Sequence, residues 1–374
     1  MKHMLIGSFF AVMALFHAPS LAIGQEVAMD TIQPALARVL EVINEESRRI
    51  PGTNVPSVNQ TLRAEIIEGP EKGDIITVEN DYFSLKQGDK FYLTHIVNDL
   101  DGADWYTVSG PYRLPSLLFF VALFVVTIVL LGGKQGIRGL LSLIGSLFVI
   151  LYILVPGILD GYSPLLVSIA VSSLIIIFGS YLTHGLNRTT SAAVVGMLIT
   201  VVLTGALSYL AIAMTSLTGV ASEEAVYLNF NTSAGIDLSG LLLGGILIGL
   251  LGVLYDIAIG QAIAVEELMR AGKEYTKKHV YTRAIRIGRE HIGALVNTLA
   301  IAYVGASLPL MLLYATSKTS IFFTINQEIF ATEILRTLIG SIGVMLAVPI
   351  TTMIATFMIS ARTSRSSESS HHHA

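Results

Sequence analysis

The sequence predicts an α-helical polytopic membrane protein, with about seven spans after a signal peptide and a small extracytoplasmic β-barrel-like domain. Three observations predict it. Mean hydropathy is +0.68 and charged residues make up 13% of the 374, about half the share of an ordinary soluble chain. Charge is also segregated: residues 25–113 hold 8 Lys/Arg and 15 Asp/Glu, whereas residues 114–360 consist mostly of long uncharged stretches. Finally, seven of those stretches are long enough to cross a hydrocarbon core about 30 Å thick at about 1.5 Å of rise per residue.

The elements follow in order. Lys2 and His3 precede the apolar run Met4–Phe16, and Ser20 and Ala22 place small residues at a cleavage site, so residues 1–22 read as a signal peptide or anchor. Residues 24–112 form the β domain. Strand-like runs at Leu36–Asn44, Leu62–Glu68, Ile75–Val78, Lys90–Val97 and Trp105–Val108 are separated by turn chemistry such as Gly69-Pro70, Lys72-Gly73-Asp74 and Gln87-Gly88-Asp89. Five short strands in so small a domain suggest closure into a compact barrel. Its excess of acid over base makes this domain acidic.

The transmembrane domain, 114–360, divides into Leu117–Leu131, Leu140–Leu159, Leu165–Leu182, Ser191–Ser216, Leu238–Ala264, Ile292–Ala315 and Ile334–Ser360. Pro349 interrupts the last, and Ser307 with Pro309 interrupts the sixth. Ser222 before Glu223-Glu224 reads as an N-cap with an acidic first turn, hence a short surface helix from Glu223. Alternate connections, with the tail, carry twelve Lys/Arg; the others carry one, Lys318. That bias places the basic connections and the C-terminus in the cytoplasm, and residues 24–112 outside a bacterial cell membrane. The Ser-rich tail, 361–374, is expected to be disordered.

One carboxylate stands firmly inside this apolar region. Asp256 lies ~12 Å of helical rise from the cytoplasmic end of its span, where an ionised Asp costs about 2.5–3.5 kcal/mol. It therefore needs a partner, a cavity or a proton. Gly252, Asp256 and Gly260 share one stripe, with Gly245 and Gly249 continuing small-residue packing above it and Gln261 beside it. On the next span, Asn297 stands at a similar depth, with Gly293 on its face and Thr298 beside it, which predicts contact between Asp256 and Asn297. Glu333 and Arg336 are spaced i, i+3 for an ion pair at the outer surface.

Other chemistry is excluded. There are no cysteines, so no disulfides and no thiolate chemistry. A net charge of −4 and a pI near 6.1 argue against nucleic acid as a partner. No P-loop, zinc-ligand spacing or nucleophile elbow occurs, so neither an enzyme nor a metal or cofactor site is expected. The lipid bilayer is the partner the composition demands; an envelope protein and a second copy of the chain are the other candidates.

The order of features resembles the YibE/F-like family of bacterial multi-pass membrane proteins. The residues carrying the resemblance are Tyr112-Arg113-Leu114-Pro115, Gly132-Gly133-Lys134-Gln135-Gly136, Gly161-Tyr162-Ser163-Pro164, His184-Gly185-Leu186-Asn187-Arg188, Leu254-Tyr255-Asp256, Asn297-Thr298-Leu299, Gly305-Ala306-Ser307-Leu308-Pro309 and Glu333-Ile334-Leu335-Arg336. The resemblance implies a transport or permease-like architecture, with small hydroxyl residues expected where this chain has Gly260-Gln261. The fifth-span Asp followed by a basic loop and an Asn-Thr pair also looks like the second half of proton-driven RND-type permeases. Two functions are expected: a secondary transporter with a proton or cation site at Asp256, or a non-transporting assembly or docking protein that uses its acidic domain.

Overall fold

In the computed structural model the described residues are 31–49, 56–81, 83–97, 104–232, 235–272 and 275–359. The expected signal peptide or anchor and the C-terminal tail lie outside them. The chain divides into two compact units, one ending at Leu130 and the other beginning at Leu131.

The first unit contains five antiparallel strands: β1 (Thr31–Arg49), β2 (Pro56–Glu68), β3 (Ile75–Asn80), β4 (Lys90–Val97) and β5 (Asp104–Pro111), in the order β3-β2-β1-β4-β5. Strand β1 is long enough to pair with β2 over most of its length and with β4 over its first half. Register shifts around Leu40 and Ile43 bend it, as bulges do. The edge strands β3 and β5 approach each other without a ladder between them, so the sheet is a curled half-barrel rather than the closed barrel expected. Leu62, Ala64, Phe91 and Leu93 fill its concave side.

A buried amide fixes the crossing from β3 toward β4. Gln60, fully buried, donates from Nε2 to the Leu85 carbonyl (2.9 Å) and to Glu45 Oε2 (2.7 Å). Its Oε1 accepts from the Leu85 amide (2.8 Å) and from Asn80 Nδ2 (2.9 Å). All four bonds are made, which is what a buried carboxamide requires.

A second polar cluster joins the β2–β3 turn to β4 and β5. Tyr106 stacks on His95 with ring centroids 4.5 Å apart and donates its hydroxyl to Glu71 Oε2 (2.6 Å). His95 Nδ1 lies 3.3 Å from Glu71 Oε1, and Nε2 lies 3.5 Å from Asp104 Oδ2. One of the domain's acidic side chains, Glu71, is thus turned partly inward, while Asp104 stays exposed. Burial, and then the bond to Glu71, push the Tyr106 hydroxyl well above its ordinary 10.0. An acid whose folded-state pKa is raised contributes stability that is present below its unfolded value and lost as pH rises beyond it. Unfolding of this domain, followed through Trp105, the chain's only tryptophan, is therefore expected to occur at lower temperature as pH rises above 10. Tyr106→Phe is expected to flatten that dependence, and an equally steep decline in the variant would contradict the assignment.

The helices are α1 (Leu114–Val149), a π-helical turn (Ile150–Leu154), α2 (Val155–Leu159), α3 (Pro164–His184), α4 (Arg188–Thr215), α5 (Glu223–Asn231), α6 (Leu238–Ala271), α7 (Lys277–Ala306), α8 (Leu308–Ala315), α9 (Ile321–Ile325) and α10 (Glu328–Met358). Five segments are long and apolar enough to cross a membrane: Leu114–Leu159, α3, α4, α6 and α10. The pair α7–α8, bent by 64°, is a broken span that would count as a sixth or a re-entrant loop.

The first two expected segments form one stretch of 46 residues. Residues 132–139, read as a loop, are helical apart from Gly133, whose φ of 52° and ψ of −137° break the ladder. The π turn has a local cause: Pro156 has no N–H to give the carbonyl four residues back. The bend at Ser307 is likewise set by Pro309, but Pro349 is accommodated inside a continuous α10. The short helix expected from Glu223 is α5, capped by the Ser222 hydroxyl.

Helices α3, α4, α6, α7 and α10 share one core, including Met197, Leu250, Leu254, Ala258 and Val348. Glu328, in the first turn of α10, holds the chain between α4 and α5, accepting from the amides of Thr218 and Gly219 at 2.8 Å each. Gly219 adopts φ +84° with the Leu238 carbonyl against it, so no other residue fits there. At the other end of α6, Glu266 accepts from Thr189 (2.7 Å) and from Arg270 (2.6 Å), tying the start of α4 to the end of α6.

Candidate functional site

Helix α6 is apolar around nearly its whole circumference, so the packing rather than the sequence reveals its open face. From Leu238 to Ile263 its exposed positions are Gly245, Gly249, Gly252, Asp256, Gly260 and Ile263, at spacings of four and three that draw a single stripe. The opposite face buries Leu247, Leu250, Leu254 and Ala258. A Cβ added at Gly245, Gly252, Gly260 or Gly293 would meet nothing within 4 Å, and one at Gly249 would meet only the Tyr303 hydroxyl. Gly245, Gly252, Gly260 and Gly293 therefore line open space and do not mediate the close helix packing expected of them, whereas Gly249 admits the Tyr303 side chain of α7. The tight contacts are elsewhere: Gly196 against Thr351, Gly244 against Ser168, Gly288 against Val348 and Gly343 against Thr204.

Asp256 lies midway along the stripe and opens into a cleft of about 320 Å³ between α6 and α7, shared with Gly260, Gln261, Ile287, His291 and Leu295. Among the described residues no hydrogen bond or ion pair occupies its carboxylate. Gln261 is 3% exposed and donates from Nε2 to the Ala284 carbonyl at 2.7 Å, fixing the floor of the cleft by joining the two helices. Gly288 allows this approach, because a side chain there would strike Gln261 and Val348.

The polar residue that α7 brings to the cleft is His291, not Asn297. Ile287, His291 and Leu295 recur at i, i+4 and i+8 and so share the face turned toward α6. Asn297 lies two residues past Leu295, a rotation of about 200° on an α-helix, and it is not among the lining residues. Thr298 is also outside the lining and donates to the Ala294 carbonyl of its own helix (2.9 Å). The i+4 series through His291 was the available signal.

Glu333 and Arg336 form their ion pair on α10, Nη1 to Oε1 at 2.8 Å. They line a different cavity, at the far end of α6 from the basic connection. Among the described residues no three His, Asp or Glu side chains converge to hold a metal ion.

Neither a curated protein nor a solved structure matches this chain. A family profile described as YibE/F-like protein matches residues 120–361, nearly two thirds of the sequence and the region that contains the helices and the cleft. The chain belongs to the YibE/F-like family.

Proposed function

We propose that the protein is a secondary transporter in which Asp256 takes up and releases a proton or a cation. The observation that carries this reading is an ionisable carboxylate, unpaired among the described residues, on the open face of a long apolar helix and in one cleft with His291. Intramembrane carboxylates are costly, and those that persist line ion and substrate pathways. An imidazole across the same cleft supplies a second polar group that can donate or accept a hydrogen bond. Gln261 holds the two helices at the spacing that keeps the cleft open.

The accompanying topology has seven crossings. The 46 residues of Leu114–Leu159 would extend about 69 Å as one helix, twice what a bilayer core needs, and Gly133 divides them into two passes. Helices α3, α4, α6, bent α7–α8 and α10 supply the other five. With the Lys/Arg-rich connections facing the cytoplasm of a bacterial cell, the cleft opens toward the cytoplasmic half of the membrane and the β domain stands outside.

The test is gradient-driven movement through the purified chain in sealed vesicles. An imposed pH or sodium gradient is expected to dissipate faster than in empty vesicles, followed with a trapped pH dye or radioactive sodium. Equal decay in both preparations under both gradients would overturn the reading.

A further inference from the structure

At the other end of α6 a cavity of about 390 Å³ lies among α5, α6, the α7–α8 break and α10. We infer that it binds a small zwitterion, a molecule with an anionic group and an ammonium group beside an apolar body. Used as a loading site for transport it would rest on the reading above, whereas as a binding site it stands alone.

Three features point to such a ligand. First, Thr332 is 3% exposed and its Oγ1 has no hydrogen-bond partner, although it lines the cavity. Thr337, Thr352 and Thr356 on the same helix each return their hydroxyl to the carbonyl four residues back. Thr351, the other unpaired threonine of α10, packs against Gly196. A buried hydroxyl left unpaired is costly, and a ligand acceptor would remove that cost.

Second, Arg336 and Glu333, both about one quarter to one third exposed, spend only one bond on each other. The remaining guanidinium edge and Glu333 Oε2 make no hydrogen bond among the described residues. The pair is neutral as a unit. A simple anion would draw Arg336 away and leave Glu333 uncompensated, and a simple cation would do the reverse. A zwitterion places its anionic group on the guanidinium and its ammonium on the carboxylate, satisfying both.

Third, the rest of the wall is apolar, including Leu241, Leu242, Leu310 and Ile329, so the ligand's body should be apolar too. A free α-amino acid such as leucine and an ethanolamine phospholipid headgroup share this chemistry.

The experiment uses the full chain in a non-ionic detergent. Binding of labelled leucine is measured by equilibrium dialysis, and binding of dihexanoyl phosphatidylethanolamine by calorimetry; hexanoate and hexylamine serve as competitors carrying one charge each. At least one zwitterion is expected to bind, and which one identifies the source. Each single-charge competitor is expected to be tenfold weaker or worse. Thr332→Val removes an unpaired hydroxyl at nearly constant volume, so the unfolding temperature should hold or rise while affinity falls about tenfold. Binding by neither zwitterion, equal competition by hexanoate, or unchanged affinity in Thr332→Val would each overturn the assignment. No gradient is applied, so this result and the vesicle result can fail independently.

Discussion

Asp256→Asn is expected to reduce gradient-dependent flux to the level of empty vesicles, and at the same time to leave the protein as stable as before or more so. The amide preserves the size of the side chain but cannot exchange a proton or carry the charge that attracts a cation. It also removes an ionised group from the middle of an apolar span, where insertion scales assign about 2.5–3.5 kcal/mol. The two readouts move in opposite directions only if the carboxylate is retained for function. A carboxylate retained for structure would hold helices together, and its loss would lower the unfolding temperature in detergent. The structure offers no bond for it to lose within the chain, since its carboxylate is unpaired among the described residues. Flux equal to that of the native protein, from a correctly inserted Asp256→Asn chain, would contradict the expectation.

Much of this architecture was legible because its signals are local. Strand β4 runs from Lys90 to Val97 as expected, since Gly88-Asp89 before it forms a turn and its residues alternate between core and surface. The break between α7 and α8 was marked by Ser307 and Pro309 for an equally local reason, the missing proline N–H. Illegible features depended on angle or on neighbours. Gly132–Gly139 carries two charges and looks like a loop, but Lys134, Gln135 and Arg138 are good helix formers and only Gly133 departs from the helix. Asp256 stood out by its cost, whereas the α7 residue that shares its cleft, His291, depends on rotation about the helix as well as depth. The glycines were the hardest to read. In a helix apolar all round, a glycine that lets another helix approach and one that lines a cleft give the same sequence signal.

That last distinction makes the largest expected effect on stability. Gly196→Ala, in the middle of α4, is expected to destabilise the helical unit by about 1–3 kcal/mol, and Gly196→Leu to prevent a stable fold. A Cβ at this position would collide with the Thr351 hydroxyl and lie 3.0 Å from Thr351 Cα, which is backbone and cannot rotate away. Helix α10 would have to move as a body, and with it Val348, which packs against Gly288 and thereby supports the floor of the Asp256 cleft. Gly252→Ala provides the contrast. It lies on the open stripe one turn from Asp256, with nothing within 4 Å of its added carbon. Removing a flexible residue from a helix interior should therefore leave stability unchanged or raise it by up to about 1 kcal/mol. Thermal unfolding of the two alanine variants in the same detergent measures the difference directly. A Gly252→Ala protein less stable than Gly196→Ala would mean that the stripe carrying Asp256 is a packed interface after all, with no open cleft for a proton or cation to enter.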